Sequence, residues 1–255
     1  MDNSCIIGYG TVGKAFAQVF GIKKIFTKDQ NESNITLEEA SKCRLVFVCL
    51  PTPVRDGEYY TKDIEDIIVQ MEGYGNGPIY VIRSTVYPGF AIHLQKKGID
   101  RVISNPEFLS EATAVEDTKN APFVLIGGFE GVFRAEVRAF YQGRLKGSPI
   151  IECDNTTAEL AKLALNSFFA TKVIFANQLY DACELTEANY QIVKRILEKH
   201  PYGSKNHFSV WFRDKRGVHG KCLPKDSEAL AHYGNLDLIR KVVELNKMYV
   251  QLQHG

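Results

Sequence analysis

The chain has 255 residues, and 45% of them are hydrophobic, which is enough to form the core of one large domain or two small ones. This composition excludes a disordered or fibrous protein. The 31 Lys and Arg residues balance 30 Asp and Glu residues, so the formal net charge is +1. Without a basic surplus, nucleic acid and acidic membranes are disfavoured as partners.

The six cysteines are spread along the chain without a CxxC pair, so we expect reduced thiols, no bound metal and a cytoplasmic location. The first ten residues lack the basic segment and the long apolar run of an export signal. No stretch approaches the ~18 apolar residues of a membrane helix. We therefore expect neither export nor membrane anchoring.

Short apolar runs alternate with helix-like segments through the first half of the chain, which is the pattern of a parallel sheet with crossover helices. Little room for a full crossover helix remains between Asp29 and Leu45. The predicted fold class is α/β, with a Rossmann-like domain over residues 1–152. The predicted strands cover residues 6–7, 24–27, 45–50, 79–83, 102–104 and 123–126.

The pattern changes after Ile151, and residues 153–255 are predicted to form an all-helical central and dimerisation domain. Thr156 followed by Glu159 predicts a capping box, after which an apolar helix extends to about Glu184. We name it the spine helix and expect it to be covered on most sides, because its apolar residues point in every direction. These residues are Leu160, Leu163, Leu165, Phe168, Phe169, Val173, Ile174 and Phe175.

Beyond the spine helix, helices are predicted at residues 187–199 and from about Asp226, with a long ordered loop at residues 200–221 between them. The last helix carries an apolar stripe with alternating spacings of four and three residues. The stripe is too short for a coiled coil, so it must pack on the spine helix or on a second subunit. Its members are Leu238, Val242, Leu245, Tyr249 and Leu252.

A GxGxxG sequence follows the first predicted strand and opens an amphipathic helix, which is the context of a dinucleotide-binding turn. The helix N-terminus would face the phosphates. Asp29, near the end of the second strand, predicts a contact to the adenosine ribose and favours NAD, whereas the adjacent Lys28 keeps NADP as an alternative. The alternative interpretation is that the GxGxxG sequence is a chance glycine turn that binds no dinucleotide. The candidate cofactor residues here are Gly8, Tyr9, Gly10, Thr11, Val12 and Gly13.

Three further polar residues are candidates for a catalytic or binding site. Cys222 stands between two lysines where a loop meets a helix start, which favours a reactive thiol, although a structural thiol fits the sequence equally well. Lys162 and Asn166 are spaced i and i+4 on the spine helix and therefore share one face. They indicate either a polar pocket or an exposed, solubilising end of the helix.

Together these motifs resemble the nucleotide-sugar dehydrogenases of the UDP-glucose and GDP-mannose 6-dehydrogenase type. The order and spacing of the matching segments make the resemblance specific. Relatives continue into a second dinucleotide-like domain, so we expect a short form that lacks the C-terminal nucleotide-binding domain. The segments are GYGTVG at 8–13, CLPTP at 49–53, STVYPG at 84–89, NPEFLSEATA at 105–114, AELAKLALNSFFATKVIFAN at 158–177 and CLPKD at 222–226.

The resemblance implies a four-electron, NAD-dependent oxidation of a sugar primary alcohol to the acid, with UDP-glucose as the first expected substrate. The nucleophile would form a thiohemiacetal and then a thioester that water hydrolyses. The implied catalytic residues are Cys222 as nucleophile, Lys162 and Asn166 at the oxyanion, Thr85 and Asp226 at an ordered water, and Glu111 as the base for hydrolysis. Glu107 matches the family pattern less well than Glu111.

The resemblance also implies binding residues and an assembly. A homodimer would form through residues 156–186 and 236–253. His219 stands where relatives carry glycine, which challenges the geometry of the loop before Cys222. Further cofactor contacts are implied at Thr52, Thr85 and Lys225, and substrate contacts at Glu107, Phe108, Leu109, Glu111, Lys162, Asn166 and Gly220.

Two other functions remain open. A two-electron hydroxyacid dehydrogenase on the same fold would use a lysine and an asparagine but would need no cysteine, so the CLPKD segment argues against it. An inactive relative could serve as a dinucleotide-binding interaction module. The occupied catalytic positions argue against this second alternative.

Overall fold

A computed structural model describes residues 3–28, 31–55, 57–145, 147–203 and 205–251. The chain divides into two compact units, one containing Met1–Pro53 and Tyr59–Lys162 and the other Val54–Glu58 and Leu163–Gly255. Two residues singled out in the sequence, Asp29 and Leu252, lie outside the described residues.

The first unit is built on a sheet of five parallel strands in the order β2-β1-β3-β6-β7. The strands up to Cys153 are β1 (Ser4–Ile7), β2 (Lys24–Phe26), β3 (Leu45–Val48), β4 (Val54–Arg55), β5 (Glu58–Tyr59), β6 (Ile79–Ile82), β7 (Val102–Ser104), β8 (Val124–Gly127) and β9 (Ile150–Cys153). All six predicted strands are present, which confirms the Rossmann-like fold. The short strands β4 and β5 were not predicted, nor was β9, the parallel partner of β8, in which no residue is buried.

The helices of this part of the chain cover both faces of the sheet. They are α1 (Thr11–Phe20), α2 (Leu37–Ser41), α3 (Lys62–Glu72), α4 (Phe90–Gln95), α5 (Ala114–Lys119) and α6 (Val132–Gln142). A short 3-10 turn at Glu111–Thr113 precedes α5. The crossover between β2 and β3 contains only α2, so the expected shortage of room for a full helix is confirmed.

Alternate residues of the strands supply two separate apolar clusters, one on each face of the sheet. Ile7 and Val48 pack towards α3 and α4, whereas Ile6 and Phe47 pack towards α1 and α6. Successive side chains of a strand point to opposite faces, so strands buried on both sides must be apolar throughout. This requirement explains why the strands could be recognised in the sequence.

The spine helix is α7 (Asn155–Leu185), and the predicted capping box at its start is wrong. Asp154 accepts hydrogen bonds from the backbone N–H and the hydroxyl of Thr157, at 2.8 and 2.5 Å, and so caps the helix. Thr156 lies inside the first turn, because the helix begins at Asn155. Glu159 is therefore available for other partners.

The Glu159 carboxylate is almost fully buried and accepts hydrogen bonds from other parts of the first unit. Its donors are the backbone N–H groups of Gly89, at 2.6 Å, and Ala91, at 3.1 Å, and the hydroxyl of Ser104, at 2.8 Å. Burial raises the pKa of the Glu159 carboxyl, and the surrounding donors oppose that rise. This carboxylate thus joins α7 to the start of α4 and to the end of β7.

The second unit contains the rest of α7 with three helices and a hairpin. These are α8 (Tyr190–Lys199), β10 (Trp211–Phe212), β11 (Lys215–Arg216), α9 (Leu223–Gly234) and α10 (Asp237–Gln251). The prediction of a loop without strands at 200–221 is therefore wrong in part. The turn of the hairpin uses positive φ angles at Arg213 and Asp214 rather than the glycine or asparagine that usually marks such a turn.

Arg216 holds the centre of the second unit. Its guanidinium binds the Asp181 carboxylate at 2.6 Å and donates to the side-chain and backbone oxygens of Asn177, all on α7. It also lies 4.6 Å from the ring centre of Tyr249 on α10. Arg216 thus links the hairpin to both α7 and α10.

The apolar stripe of α10 is partly confirmed. Val242 and Tyr249 are buried against α7, and Leu245 packs beside them. Leu238 is 66% exposed, because the neighbouring Ile239 takes the buried position instead. The stripe therefore packs within the chain, on the spine helix, which is one of the two alternatives predicted for it.

The spine helix is less covered within the chain than its composition predicts. Leu163 and Ile174 are buried, but Leu160, Phe168 and Phe175 are 43%, 57% and 52% exposed. The expectation of cover on most sides is therefore wrong for the described residues of one chain. None of the described helices is long and apolar enough to cross a bilayer.

We predict that Glu159→Ala lowers the free energy of unfolding by about 3 kcal/mol, because two buried N–H groups and a hydroxyl lose their acceptor. Urea unfolding followed by circular dichroism measures the change. The matched control is Glu184→Ala, since Glu184 is an exposed glutamate of the same helix. A loss below about 0.5 kcal/mol in Glu159→Ala, similar to that of a surface site, would show that this carboxylate is not a structural anchor.

Candidate active site

The glycine turn lies between β1 and α1, at the carboxyl edge of the sheet. Gly8 has a φ of 93°, and a Cβ there would stand 2.5 Å from the Cys49 carbonyl oxygen. A Cβ on Gly13 would stand 2.1 Å from the Gly8 carbonyl oxygen, so both positions require glycine. At Gly10, by contrast, a Cβ would meet no atom within 4 Å. Gly10 borders open space at the N-terminus of α1, and this arrangement fits a pyrophosphate group.

Neighbouring strand ends carry the other predicted cofactor residues of the first unit. The Thr52 hydroxyl donates to the Thr85 carbonyl at 2.6 Å, which joins the segments that follow β3 and β6. The Ser84 hydroxyl donates to the Leu50 carbonyl at 2.8 Å. The carboxyl ends of parallel strands form the usual ligand-binding edge of such sheets. Lys28, after β2, forms an exposed pair with Asp63 at 3.4 Å.

Lys162 and Glu107 form a buried ion pair in the first unit. The Lys162 Nζ lies 3.2 Å from the Glu107 carboxylate, and the two side chains are 5% and 10% exposed. The same carboxylate accepts the backbone N–H of Leu109 at 2.7 Å, and the Phe108 ring centre lies 5.4 Å from the ammonium. The loop after β7 thus encloses the lysine. Glu111 is exposed on the 3-10 turn.

The fully buried Asp226 carboxylate organises the candidate residues of the second unit. Asp226 Oδ2 accepts from Asn166 Nδ2 at 2.5 Å, and Oδ1 accepts from Lys225 Nζ at 2.6 Å. Donors on both oxygens offset the cost of burying a carboxylate. The amide of Asn166 is thereby held in one orientation, with its nitrogen towards the acid.

Cys222 occupies the N-cap position of α9, which begins three residues earlier than predicted, at Leu223. Its side chain is exposed, whereas Asp226, in the first turn of the same helix, is buried. Pro224 is compatible with this start, because the first helical turn needs no internal N–H donors. The partial positive charge of a helix N-terminus favours a thiolate at this position.

His219 fixes the loop that leads to Cys222. The ring nitrogen Nε2 lies 2.7 Å from the Arg216 carbonyl, and the ring stacks on Phe212 at a centre distance of 6.3 Å. His219 is absent from the described non-glycine residues with positive φ, so the backbone there does not require glycine. Gly220 does take a positive φ, of 90°. The replacement of glycine by His219 therefore leaves the loop unstrained at that residue.

Sequence reasoning missed the positioning roles of three residues. Arg216 was not singled out, Glu159 was assigned to a capping box, and Glu107 was assigned as a substrate contact rather than as the partner of Lys162. Their partners lie far away along the chain, so spacing gives no local signal for them. Among the described residues, no group of three or more His, Cys, Asp or Glu side chains could hold a metal ion.

Comparison with known proteins assigns both parts of the chain to one family. Residues 22–144 match the NAD binding domain of the UDP-glucose/GDP-mannose dehydrogenase family, and residues 156–248 match its central domain. The UDP-glucose 6-dehydrogenase of Rickettsia conorii is 31% identical over 227 residues, which cover 84% of this chain and 51% of that protein. The chain therefore spans about half the length of the relatives that it matches.

Solved structures show the same fold at low sequence identity. A UDP-glucose dehydrogenase from the archaeon Pyrobaculum islandicum superposes with a TM-score of 0.84 at 21% identity, covering 96% of this chain and 68% of that one. A 3-hydroxyisobutyrate dehydrogenase of Mycobacterium tuberculosis gives a TM-score of 0.71 at 14% identity, covering 96% and 92%. At these identities the likeness concerns the fold alone.

The resemblance drawn from the motifs is thus confirmed by matches over both parts of the chain, in the expected order. The match to an NAD binding domain also confirms the prediction of NAD as cofactor. The chain belongs to the UDP-glucose/GDP-mannose dehydrogenase family.

Proposed function

We propose that the chain is an NAD-dependent nucleotide-sugar 6-dehydrogenase that oxidises a primary alcohol to the uronic acid, with UDP-glucose as its first candidate substrate. The observation that carries this proposal is the placement of Cys222, an exposed thiol at the start of α9. Four residues later, the buried Asp226 binds both Lys225 and Asn166. Removal of a single hydride requires no thiol nucleophile, whereas oxidation to the acid can use one.

The glycine turn and the neighbouring strand ends are the proposed cofactor site, within a domain comprising residues 1–152. NAD, when bound, supplies the hydride acceptor. The backbone N–H groups at the start of α1 bind the pyrophosphate, and the open space beside Gly10 admits it. Asp29, outside the described residues, is proposed to bind the adenosine ribose. The other proposed contacts are Gly8, Tyr9, Thr11, Val12, Gly13, Thr52, Thr85 and Lys225.

Lys162 and Asn166 are proposed to stabilise the oxygen of the reacting carbon, because a cation and an amide donor suit a developing negative charge. One hydrogen of the Asn166 amide nitrogen goes to Asp226, so the other can point to substrate. Glu107 holds the Lys162 ammonium in place. Thr85 and Asp226 are proposed to hold the water that exchanges protons with the substrate.

Cys222 acts at the aldehyde stage. Its thiolate sulfur adds to the aldehyde carbon and the oxygen takes a proton, which gives a thiohemiacetal. Loss of the carbon-bound hydride and the hydroxyl proton converts this adduct to a thioester. Water then attacks the thioester carbon, the C–S bond breaks and the thiolate is released. The proposed base for this water is Glu111 or the buried Glu107.

Substrate contacts are proposed along the loop after β7, on α7 and before Cys222, the last two within a helical domain comprising residues 153–255. The proposed residues are Glu107, Phe108, Leu109, Glu111, Lys162, Asn166 and Gly220.

Two alternative functions differ from this proposal in the reaction that they predict. A two-electron hydroxyacid dehydrogenase shares the fold, as the Mycobacterium tuberculosis structure illustrates, but its chemistry would not depend on Cys222. A dinucleotide-binding interaction module would bind NAD without forming NADH. The exposed thiol of Cys222 favours an enzyme, since neither alternative needs a nucleophile at the start of α9.

We further propose a cytoplasmic homodimer formed through residues 156–186 and 236–253. The support is a row of exposed apolar side chains on α7 that no described part of the chain covers. Within the second unit these include Phe168, Phe175 and Leu185, at 57%, 52% and 86% exposure. An exposed apolar face of this kind is typical of a protein interface.

The first prediction concerns stoichiometry. The wild-type protein should form two NADH per uronic acid, and Cys222→Ser should form no detectable acid, because a hydroxyl is a far weaker nucleophile for the aldehyde. NADH absorbance and chromatography of the sugar nucleotides measure both quantities. Cys153→Ser, at a half-buried cysteine, is the matched control and should keep its activity. Undiminished acid formation by Cys222→Ser would refute the mechanism.

A second prediction tests the glycine turn. Gly10→Ala should weaken NAD binding by at least about tenfold, because the new methyl group fills the space assigned to the pyrophosphate. The melting temperature should stay nearly unchanged, since no atom beyond the adjacent residues of the chain lies within 4 Å of that methyl. Gly143→Ala is the control, with an ordinary φ of −74° and no close contact. Unaltered NAD affinity in calorimetry would place the pyrophosphate elsewhere.

A third prediction tests the dimer. The wild-type mass in light scattering at micromolar concentration should be twice the 28.7 kDa of one chain. Phe168→Glu should shift the mass to that of one chain, because it buries a charge in the proposed interface. Phe129→Glu, at a phenylalanine that is 71% exposed in the first unit, should leave the dimer intact. A wild-type monomer with full activity would exclude the dimer.

A further inference from the structure

Two cysteines and a lysine meet at the amino edge of the parallel sheet, opposite the glycine turn. Cys5 lies near the start of β1, Lys24 begins β2, and Cys43 lies two residues before β3. The strand register places Cys5 directly beside Lys24. None of these side chains belongs to the proposed catalytic or cofactor site.

The contacts within this group, which we name the thiol cluster, are close and polar. Lys24 Nζ lies 3.9 Å from Cys43 Sγ. Cys5 Sγ also lies 3.6 Å from the Ala40 carbonyl, and Cys43 Sγ lies 3.8 Å from the Glu39 carbonyl, both on α2. The sulfur atoms are therefore neighbours in the folded protein.

The two thiols differ in acidity. The hydrogen bond with Cys5 and the charge of Lys24 outweigh burial and lower the pKa of Cys43 to about 7. The hydrogen bond with Cys43 and burial raise the pKa of Cys5 well above its usual value. One sulfur is thus favoured as a thiolate and the other as its hydrogen-bond donor, which are the properties of an attacking and a resolving thiol.

Access to the cluster is narrow. Cys5 is fully buried and Cys43 is 2% exposed, so bulky reagents are excluded. Lys24 is exposed, however, and its ammonium lies against Cys43, so the lysine marks the side of the cluster that is nearest to solvent. Burial raises the pKa of Cys49 to about 12 and also raises that of Cys153, so these thiols are poor competitors.

We propose that Cys43 and Cys5 are an oxidant-reactive dithiol that hydrogen peroxide converts to a disulfide. The Cys43 thiolate attacks one peroxide oxygen, the O–O bond breaks, and hydroxide leaves as Cys43 becomes a sulfenic acid. Cys5 then attacks the sulfenic sulfur, forming the S–S bond and releasing water as its thiol proton is lost. Two thiols lose two electrons, and one peroxide is reduced to two waters. A thiol reductant reverses the reaction.

The test uses the full-length reduced protein, treated with hydrogen peroxide and then denatured, alkylated, digested and analysed by mass spectrometry. We expect a peptide pair joined between Cys5 and Cys43 that disappears after dithiothreitol. In Cys5→Ser, Cys43 should stop at the sulfenic acid, which dimedone added during denaturation should label. Oxidation of Cys43 to sulfinic acid without the joined pair in the wild type would overturn the proposal.

A second pair of variants leaves both cysteines in place. Lys24→Met should slow formation of the joined pair by about tenfold at neutral pH, because the thiolate loses its cation. Lys23→Met, at the adjacent exposed lysine, should react at the wild-type rate. Equal rates for Lys24→Met and the wild type would remove the role of the lysine and overturn the assignment of Cys43 as the attacking thiolate.

Discussion

Burial of polar side chains along an otherwise apolar helix is the constraint on which the architecture depends. Glu159, Lys162, Asn166 and Asn177 are all buried on α7. Such groups destabilise the fold by several kcal/mol unless each finds a partner. Each does so on a different segment, so satisfying these four residues fixes loops that the apolar core alone would leave undetermined.

The orientation of the candidate catalytic groups follows from the need to pair the buried polar side chains of α7. Lys162 holds the loop after β7 through Glu107, and Asn166 holds the first turn of α9 through Asp226. The groups proposed to act on the substrate are therefore oriented before any ligand arrives, which is the condition for effective electrostatic stabilisation. Cys222 stays exposed because it precedes the helix that Asp226 anchors.

Local patterns in the sequence were sufficient for the five strands of the parallel sheet, for β8 and for the glycine turn, since each depends on neighbouring residues. The pairs on α7 were not predictable in this way. Thr156 and Glu159 fit a capping box, but Asp154 provides a better acceptor, and Glu159 binds residues 55 to 70 positions away. Glu107 was likewise ranked below Glu111, because spacing does not reveal which of the two acids is buried.

The carboxyl and amino edges of the sheet differ in the side chains that they can accommodate. At the carboxyl edge, Gly8 and Gly13 leave no space for side chains, so the backbone itself must bind the ligand. At the amino edge side chains are permitted, and a lysine can stand beside a thiol there without blocking the cofactor. Because β1 joins the two edges within four residues, a disulfide at Cys5 would restrain the strand that supports the glycine turn.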